Sequence, residues 1–333
     1  NALMLSNYQD LLKKGNESLN RKEWEMATAC FKKALEVNPL GDEARSGIVK
    51  VKETHKAYIQ ANYQDLLNHS KPDLMLILTP SGLHYEHTKI AFSNHCHVLC
   101  EKPITMLPDQ ALELEKIASS KKLMYGVAFQ NRLNPAIQAL ERALKQHRFG
   151  KIVSSTIRLR WCRYQDYYED GWHGTWAQDG GVINQQAIHH VDAINWLLGP
   201  IKAINATITN RLNDLEAEDT LVAIMKFENG ALGTIEATTA ARPEDFEASL
   251  SVVGEKGMVL VGGIALNKIE IWKFIETNDQ DKTAVIDFSQ EVETGYGISH
   301  GPLLQKVIDS LEVGDIAPPV SAKDAILTAR VVH

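Results

Sequence analysis

Three periodicities divide the chain. Residues 8–41 place Gly15, Ala27, Phe31 and Ala34 at helical spacing, and Pro39 closes the stretch. This predicts a helical hairpin, with residues 41–58 as a third, capping helix. From residue 62 short apolar runs alternate with helical stretches. Asp73–Thr79 (DLMLILT) reads as a strand covered on both faces, and His97–Cys100 and Leu123–Ala128 as two more. Helices are predicted over Leu83–Phe92, Pro108–Ser119 and Asn134–Gln146. Strands alternating with helices imply a parallel sheet.

Past Phe149-Gly150 the period becomes two. Lys151–Arg160, Ile204–Asn210, Thr220–Phe227, Ala231–Thr239, Ala248–Val253, Met258–Val261 and Lys268–Phe274 predict a mostly antiparallel sheet. Asn229-Gly230 and residues 254–257 (GEKG) are its hairpin turns. One helix, Gly181–Leu198, interrupts the strands, and two more, His300–Val313 and Ser321–His333, follow them. The hexapeptide NYQDLL occurs at Asn7–Leu12 and again at Asn62–Leu67, an offset that matches no repeat period.

Composition narrows the function classes. Of 333 residues 44% are apolar and 23% charged, with 35 Lys and Arg against 42 Asp and Glu. A net charge of -7 without a basic cluster excludes broad nucleic-acid binding. No apolar run reaches the roughly 18–20 residues needed to span a bilayer, and no signal-peptide pattern opens the chain. The four cysteines show no C-x-x-C spacing, as expected of reduced thiols in a cytoplasmic protein. His84, His87, His95, Cys96, His97 and Cys100 cluster in sequence but lack the spacing of a metal motif, so no metal is expected.

Two stretches carry the candidate chemistry. Cys100-Glu101-Lys102-Pro103-Ile104 follows a predicted parallel strand, on the edge where open α/β sheets bind ligands. A lysine there can move a proton or orient a substrate hydroxyl. In residues 180–192 two glycines open a helix bearing Gln185 and His189, four apart and so on one helical face. His189 is a candidate general base, Asp192 is placed to hold its imidazole, and His190 points elsewhere. A third stretch, Arg160–Asp179, is dense in Trp, Tyr and Arg and fits a large polar substrate by stacking and charged hydrogen bonds. Arg160 and Trp176 are its candidates.

Two resemblances add to these readings. Gly15, Ala27, Phe31, Ala34 and Pro39 resemble one tetratricopeptide repeat, which implies a protein partner at the helical hairpin. TPSGLH (Thr79–His84), CEKPI, GVAFQNRLNP (Gly126–Pro135), FGKI (Phe149–Ile152) and the glycine pair followed by His189-x-x-Asp192 occur in order. This series strongly resembles the Gfo/Idh/MocA family of NAD(P)-dependent oxidoreductases, from about residue 57 onward. The resemblance implies a Rossmann domain followed by an α/β domain whose open sheet mediates homo-oligomers. It implies Lys102 and His189 as the proton-handling residues, with hydride passing to NAD or NADP. By the same resemblance Thr79, Pro80 and His84 line the cofactor, Glu101 and Lys102 lie near the nicotinamide ribose, and Gln130 and Arg132 follow the next strand. Arg132 and Asp192 then join the substrate side.

The chain departs from that pattern twice. Many members carry Asp where Gln185 stands, and glutamine cannot take a proton; a sugar-nucleotide 3-dehydrogenase branch tolerates an amide there. The G-x-G-x-x-G turn and the acidic residue that should follow it are missing from residues 1–56. The expected fold is therefore α/β: a helical hairpin over 1–56, a partial Rossmann-like sheet without its first βαβ over 57–148, and a substrate and oligomerisation domain over 149–333. The expected function is oxidation or reduction of a sugar or sugar nucleotide. The alternative is a catalytically silent relative that serves binding or scaffolding through its helical repeat.

Overall fold

The computed structural model describes residues 2–38, 41–51, 63, 66–67 and 70–333. Two compact units are formed, Asn1–Pro72 and Asp73–His333. The first holds α1 (Ala2–Asn20), α2 (Trp24–Val37) and a helical stretch over residues 42–51, α3. Phe31 is fully buried at its centre, with Tyr8, Leu12, Leu19, Ala27, Ala34, Ala44 and Val51 around it. A β-carbon on Gly15 or Gly47 would stand 2.8 or 2.5 Å from the Phe31 ring, so the ring needs both positions bare. Asn38 is extended, as a residue before proline prefers, and α2 ends there. The rest of the predicted capping helix, the 56/57 boundary and half of the second hexapeptide lie outside the described residues.

The second unit opens with a three-stranded parallel sheet in the order β1 (Leu74–Ile77), β2 (His97–Cys100), β3 (Tyr125–Val127). α4 (His84–Ser93) and α5 (Pro108–Lys121) are its crossovers, and α6 (Pro135–Lys145) leads to the second sheet. Seven strands follow: β4 (Ile152–Arg160), β5 (Ile201–Thr209), β6 (Thr220–Phe227), β7 (Leu232–Thr238), β8 (Glu247–Gly254), β9 (Gly257–Gly262) and β10 (Lys268–Phe274). Their order is β10-β9-β8-β4-β7-β6-β5, antiparallel throughout except for the parallel pair β4–β7.

Period-two alternation sends one face of this sheet inward. Ile157, Leu159, Met225, Phe227, Ile235, Leu250 and Val261 meet Ile137 and Leu140 of α6. On the opposite face Val153, Val222, Ile224 and Leu232 are more than half exposed. The helix predicted over Gly181–Leu198 is two helices, α7 (Gly181–Gln185) and α8 (Ile188–Leu198). The amides of Gln186 and Ala187 both donate to the Val182 carbonyl, at 3.1 and 2.8 Å, which ends α7 and turns the chain. Gln185 and His189 therefore do not share one continuous helical face. A short helix, α9 (Ala284–Asp287), precedes α10 (His300–Glu312) and α11 (Ala322–Val332). Among the described residues no helix is long and apolar enough to cross a membrane.

The packing of Phe31 gives the first expected outcome. Phe31→Ala removes the central side chain of the helical unit and should cost about 3–5 kcal/mol of its stability. Hydrogen exchange should show residues 8–51 opening faster; unchanged protection there would contradict the assignment of Phe31 as the centre of that core.

Candidate functional site

The carboxyl ends of β1, β2 and β3 share one edge of the parallel sheet. Thr79, Pro80 and Ser81 follow β1, Glu101 and Lys102 follow β2, and Gln130 begins the 3-10 turn after β3. α7 and α8 bring Gln185, Gln186 and His189 to the same edge. All of these residues line one cavity of about 900 Å³. Ligands of open α/β sheets bind in this crevice outside the strand ends.

Lys102 is held by its partner across the cavity. Its Nζ donates to the Gln185 backbone oxygen at 2.6 Å and to Gln185 Oε1 at 3.1 Å. Burial pushes its pKa down, while the charges of Glu101 and Asp179 act the other way. His84 braces the loop that carries Lys102. Its Nδ1 lies 2.6 Å from the Pro103 carbonyl and its Nε2 2.8 Å from the Thr79 carbonyl. A neutral ring donates only one of these bonds, and only the imidazolium donates both. Burial nevertheless holds His84 below the ordinary histidine value, outweighing the two carbonyls.

His189 is neutral near pH 7. Burial, then the positive charge of Lys102 and the neighbouring His190 and His300, push its pKa well below the usual histidine range. Its ring meets Phe129 edge-on at 5.8 Å, and its Nδ1 is buried without a hydrogen-bond partner among the described residues. His190 is 1% exposed and takes no part in the cavity.

Asp192 does not hold His189. Its two oxygens accept from Nε and Nη2 of Arg132, each at 2.7 Å, and Thr328 Oγ1 donates to it at 3.1 Å. Arg132 is 5% and Asp192 1% exposed, and neither lines the cavity. This bidentate pair ties the turn after β3 to α8 one helical turn beyond His189, and to α11 through Thr328. Both residues thus tie elements together and lie outside the cavity lining.

The opposite wall comes from loops of the large sheet. Arg163 Nη1 donates to the Cys162 carbonyl at 2.7 Å and to Asp245 Oδ1 at 3.0 Å. Its guanidinium lies 5.2 Å from the Trp161 ring and 5.6 Å from Tyr167. His173 stacks between Trp172 and Tyr167, with centroids 3.6 and 4.2 Å away, and its Nδ1 sits 2.6 Å from Asp170 Oδ2. Glu244, Asp245, Tyr296 and His300 complete the rim. The two residues singled out from the aromatic segment are elsewhere. Arg160 pairs with Glu236 at 2.7 Å and Glu247 at 3.1 Å on the sheet, and Trp176 is 53% exposed away from the cavity. Strand alternation carried the signal for Arg160, since Leu159 beside it is buried. No spacing marks Asp245, Tyr296 or His300, which are brought in by distant loops.

With this geometry in place, comparison with known proteins gives the class. Residues 20–129 match the oxidoreductase family with an NAD-binding Rossmann fold, and residues 137–260 match the GFO/IDH/MocA C-terminal domain. The chain belongs to the Gfo/Idh/MocA family of oxidoreductases. It is 33% identical to the WlbA dehydrogenase from Bordetella pertussis, solved in complex with NADH and UDP-GlcNAcA. That likeness covers 80% of this chain and 77% of the other, with a TM-score of 0.77. A D-glucoside 3-dehydrogenase of Escherichia coli is 28% identical over 68% of this chain and 70% of its own length. An uncharacterised oxidoreductase of Synechocystis is 28% identical over 63% of this chain, which spans 60% of that protein. The first match starts at residue 20, inside the helical unit and well before the motifs that carry the resemblance.

The buried ion pair behind the cavity gives a second expected outcome. Asp192→Ala strands the Arg132 charge in a buried setting and should cost about 3–5 kcal/mol. Denaturant unfolding followed by tryptophan fluorescence would read this as a lower midpoint. A midpoint equal to that of the parent protein would mean that Arg132 is solvated and the pair unimportant.

Proposed function

We propose that the chain is an oxidoreductase of a sugar or sugar nucleotide, exchanging hydride with NAD(H) or NADP(H). The observation that carries this reading is the shared cavity: Lys102 and His189 lie on one side, the Arg163 and aromatic wall on the other. The wall suits a large polar ligand, because planar rings stack on sugars and bases while a guanidinium binds anionic oxygens.

Fit to the dinucleotide is uneven along its length. Thr79, Ser81, Glu101 and Gln130 line the cavity at the strand ends, and Gln130 Oε1 is buried without a partner among the described residues. These groups would hold the ribose and carboxamide. For the diphosphate the sequence offers no G-x-G-x-x-G turn. When bound, the nicotinamide accepts or returns a hydride.

Lys102 and His189 do the rest. The ammonium of Lys102 has three hydrogens, and Gln185 takes two of them at 2.6 and 3.1 Å. The third is left to donate to the substrate hydroxyl oxygen. His189, uncharged at neutral pH, takes the hydroxyl proton on its bare nitrogen as the C–H bond gives up its hydride. Gln185 holds the lysine and moves no proton.

The missing glycine turn favours one other reading, a catalytically silent relative that serves binding or scaffolding through its helical repeat. The full chain titrated with NADH and NADPH separates the two. Saturable binding in the micromolar range is expected, and none up to millimolar concentration would leave the silent reading. With turnover in hand, Lys102→Met and His189→Asn should each lower kcat by about 10²–10⁴. The acid limb of the pH profile should lie below the ordinary histidine value of about 6.5, because His189 must lose its proton to act. A limb below that value that persists in His189→Asn would remove His189 as the base.

The exposed outer face of the large sheet fits a homo-oligomer. Val222, Ile224 and Leu232 form an apolar band there. Light scattering of the purified chain should give a multiple of its mass, and Ile224→Glu should lower it. A monomeric parent protein would end this assignment.

A further inference from the structure

The aromatic segment ends on a buried carboxylate, Asp179, whose charge acts on Lys102. Asp179 is 1% exposed and immediately precedes the glycines that open α7. Its Oδ2 accepts the Gly174 amide at 2.6 Å. Its Oδ1 is buried with no hydrogen-bond partner among the described residues. An ionised carboxylate with a bare buried oxygen is costly unless a positive charge or a proton compensates it.

α7 brings that compensation close. Asn184 Nδ2 donates to the Asp179 backbone oxygen at 2.6 Å, and the next residue, Gln185, receives both hydrogen bonds from Lys102. One short helix thus links the aspartate and the lysine. The second glycine leaves no room for anything else: a β-carbon on Gly181 would collide with the Glu218 carboxylate, and its φ is +78°. The titratable groups facing Asp179 are Lys102, Asp170, Glu218, Tyr167 and Tyr168. Of these Lys102 is the cation. Those acting on Lys102 are Glu101 and Asp179, and Lys102 acts in turn on His84, His173 and His189.

We propose that Asp179 is a positioning residue that sets the charge of Lys102, the two forming a coupled pair behind the cavity wall. Gln185, which touches the lysine, cannot change charge; Asp179 can. With the carboxylate ionised, Lys102 stays an ammonium and donates to the substrate hydroxyl. With a proton on Asp179, that ammonium loses its support. Burial raises Asp179 to about 7 and lowers Lys102, so each group shifts toward the pH range in which the other titrates. The inference rests on the role proposed above for Lys102, but its test needs no turnover.

The titration of Lys102 is measured on the full chain by the pH dependence of its reductive methylation, read by peptide mass spectrometry. Asp179→Asn removes the negative charge and should move the Lys102 midpoint down by about one pH unit. Asp179→Glu restores the charge and should return most of the shift. An unchanged midpoint in both variants overturns the pairing. If Asp179→Asn does not fold, Lys102→Met reads the same coupling from the other side. In protein carrying carbon-13-labelled aspartate, the carboxyl resonance that titrates near neutral pH should then titrate higher. A resonance that does not move overturns the proposal. A protein that fails to bind dinucleotide would sink the proposed reaction and leave this pairing to stand or fall by itself.

Discussion

The two hydrogen bonds from Lys102 to Gln185 join the parts of the second unit where chemistry can occur. Lys102 stands at the end of a strand of the parallel sheet, and Gln185 ends a helix packed on the large sheet. A lysine head group leaves water only if its hydrogens find acceptors, and Gln185 supplies two from one residue, its main chain and its side chain. The cavity floor, the direction of the ammonium and the approach of α8 all depend on that contact. The break between α7 and α8 is part of the same constraint. It lets Gln185 face the lysine while His189, on the next helix, comes to the cavity from a different direction.

The buried cations around this contact each have compensating carboxylates. Arg132 and Asp192 satisfy each other and hold α8 against the turn after β3. Lys102 has Glu101 and Asp179. His189 has no carboxylate and is kept neutral by burial and by the lysine's charge, the state required of a base. The carboxylate that might have been sought four residues before His189 is replaced by an uncharged hydrogen-bond acceptor. The cavity then holds groups of different type with pKa values displaced by burial, a common way for one site to keep a donor and an acceptor together.

How legible this was differs by element. The strands of the large sheet were readable to within a few residues, because one face is buried and the other is not, and alternation records that directly. Thr220–Phe227 is an example, with Leu221, Ala223, Met225 and Phe227 buried in turn. The apolar runs of β1 to β3 marked the strands, but β1 is not covered on both faces as its run suggested: Met75 and Ile77 are buried while Leu76 is exposed. Lys102 and His189, read from a strand end, a helix and motif order, both line the cavity. Asp192 was misassigned because helical spacing puts it one turn from His189, whereas a guanidinium from far along the chain was the stronger partner. Arg160 and Trp176 were chosen from a segment whose composition was informative but whose loop geometry was not.

By itself the sequence determined the change from helical hairpin to parallel strands to a two-period sheet, and it singled out Lys102 and His189, which line one cavity. Such features are local: they follow from spacing along the chain and from which side chains prefer burial. Tertiary structure decided which groups meet. The wall of Arg163, Tyr167 and His173, the closing of Asp192 on Arg132 and the reach of Lys102 to Gln185 join residues far apart in the chain or separated by irregular loops. Their contacts are set by the packing of two sheets and by the desolvation of the charges between them, and neither quantity is written in any short stretch of sequence.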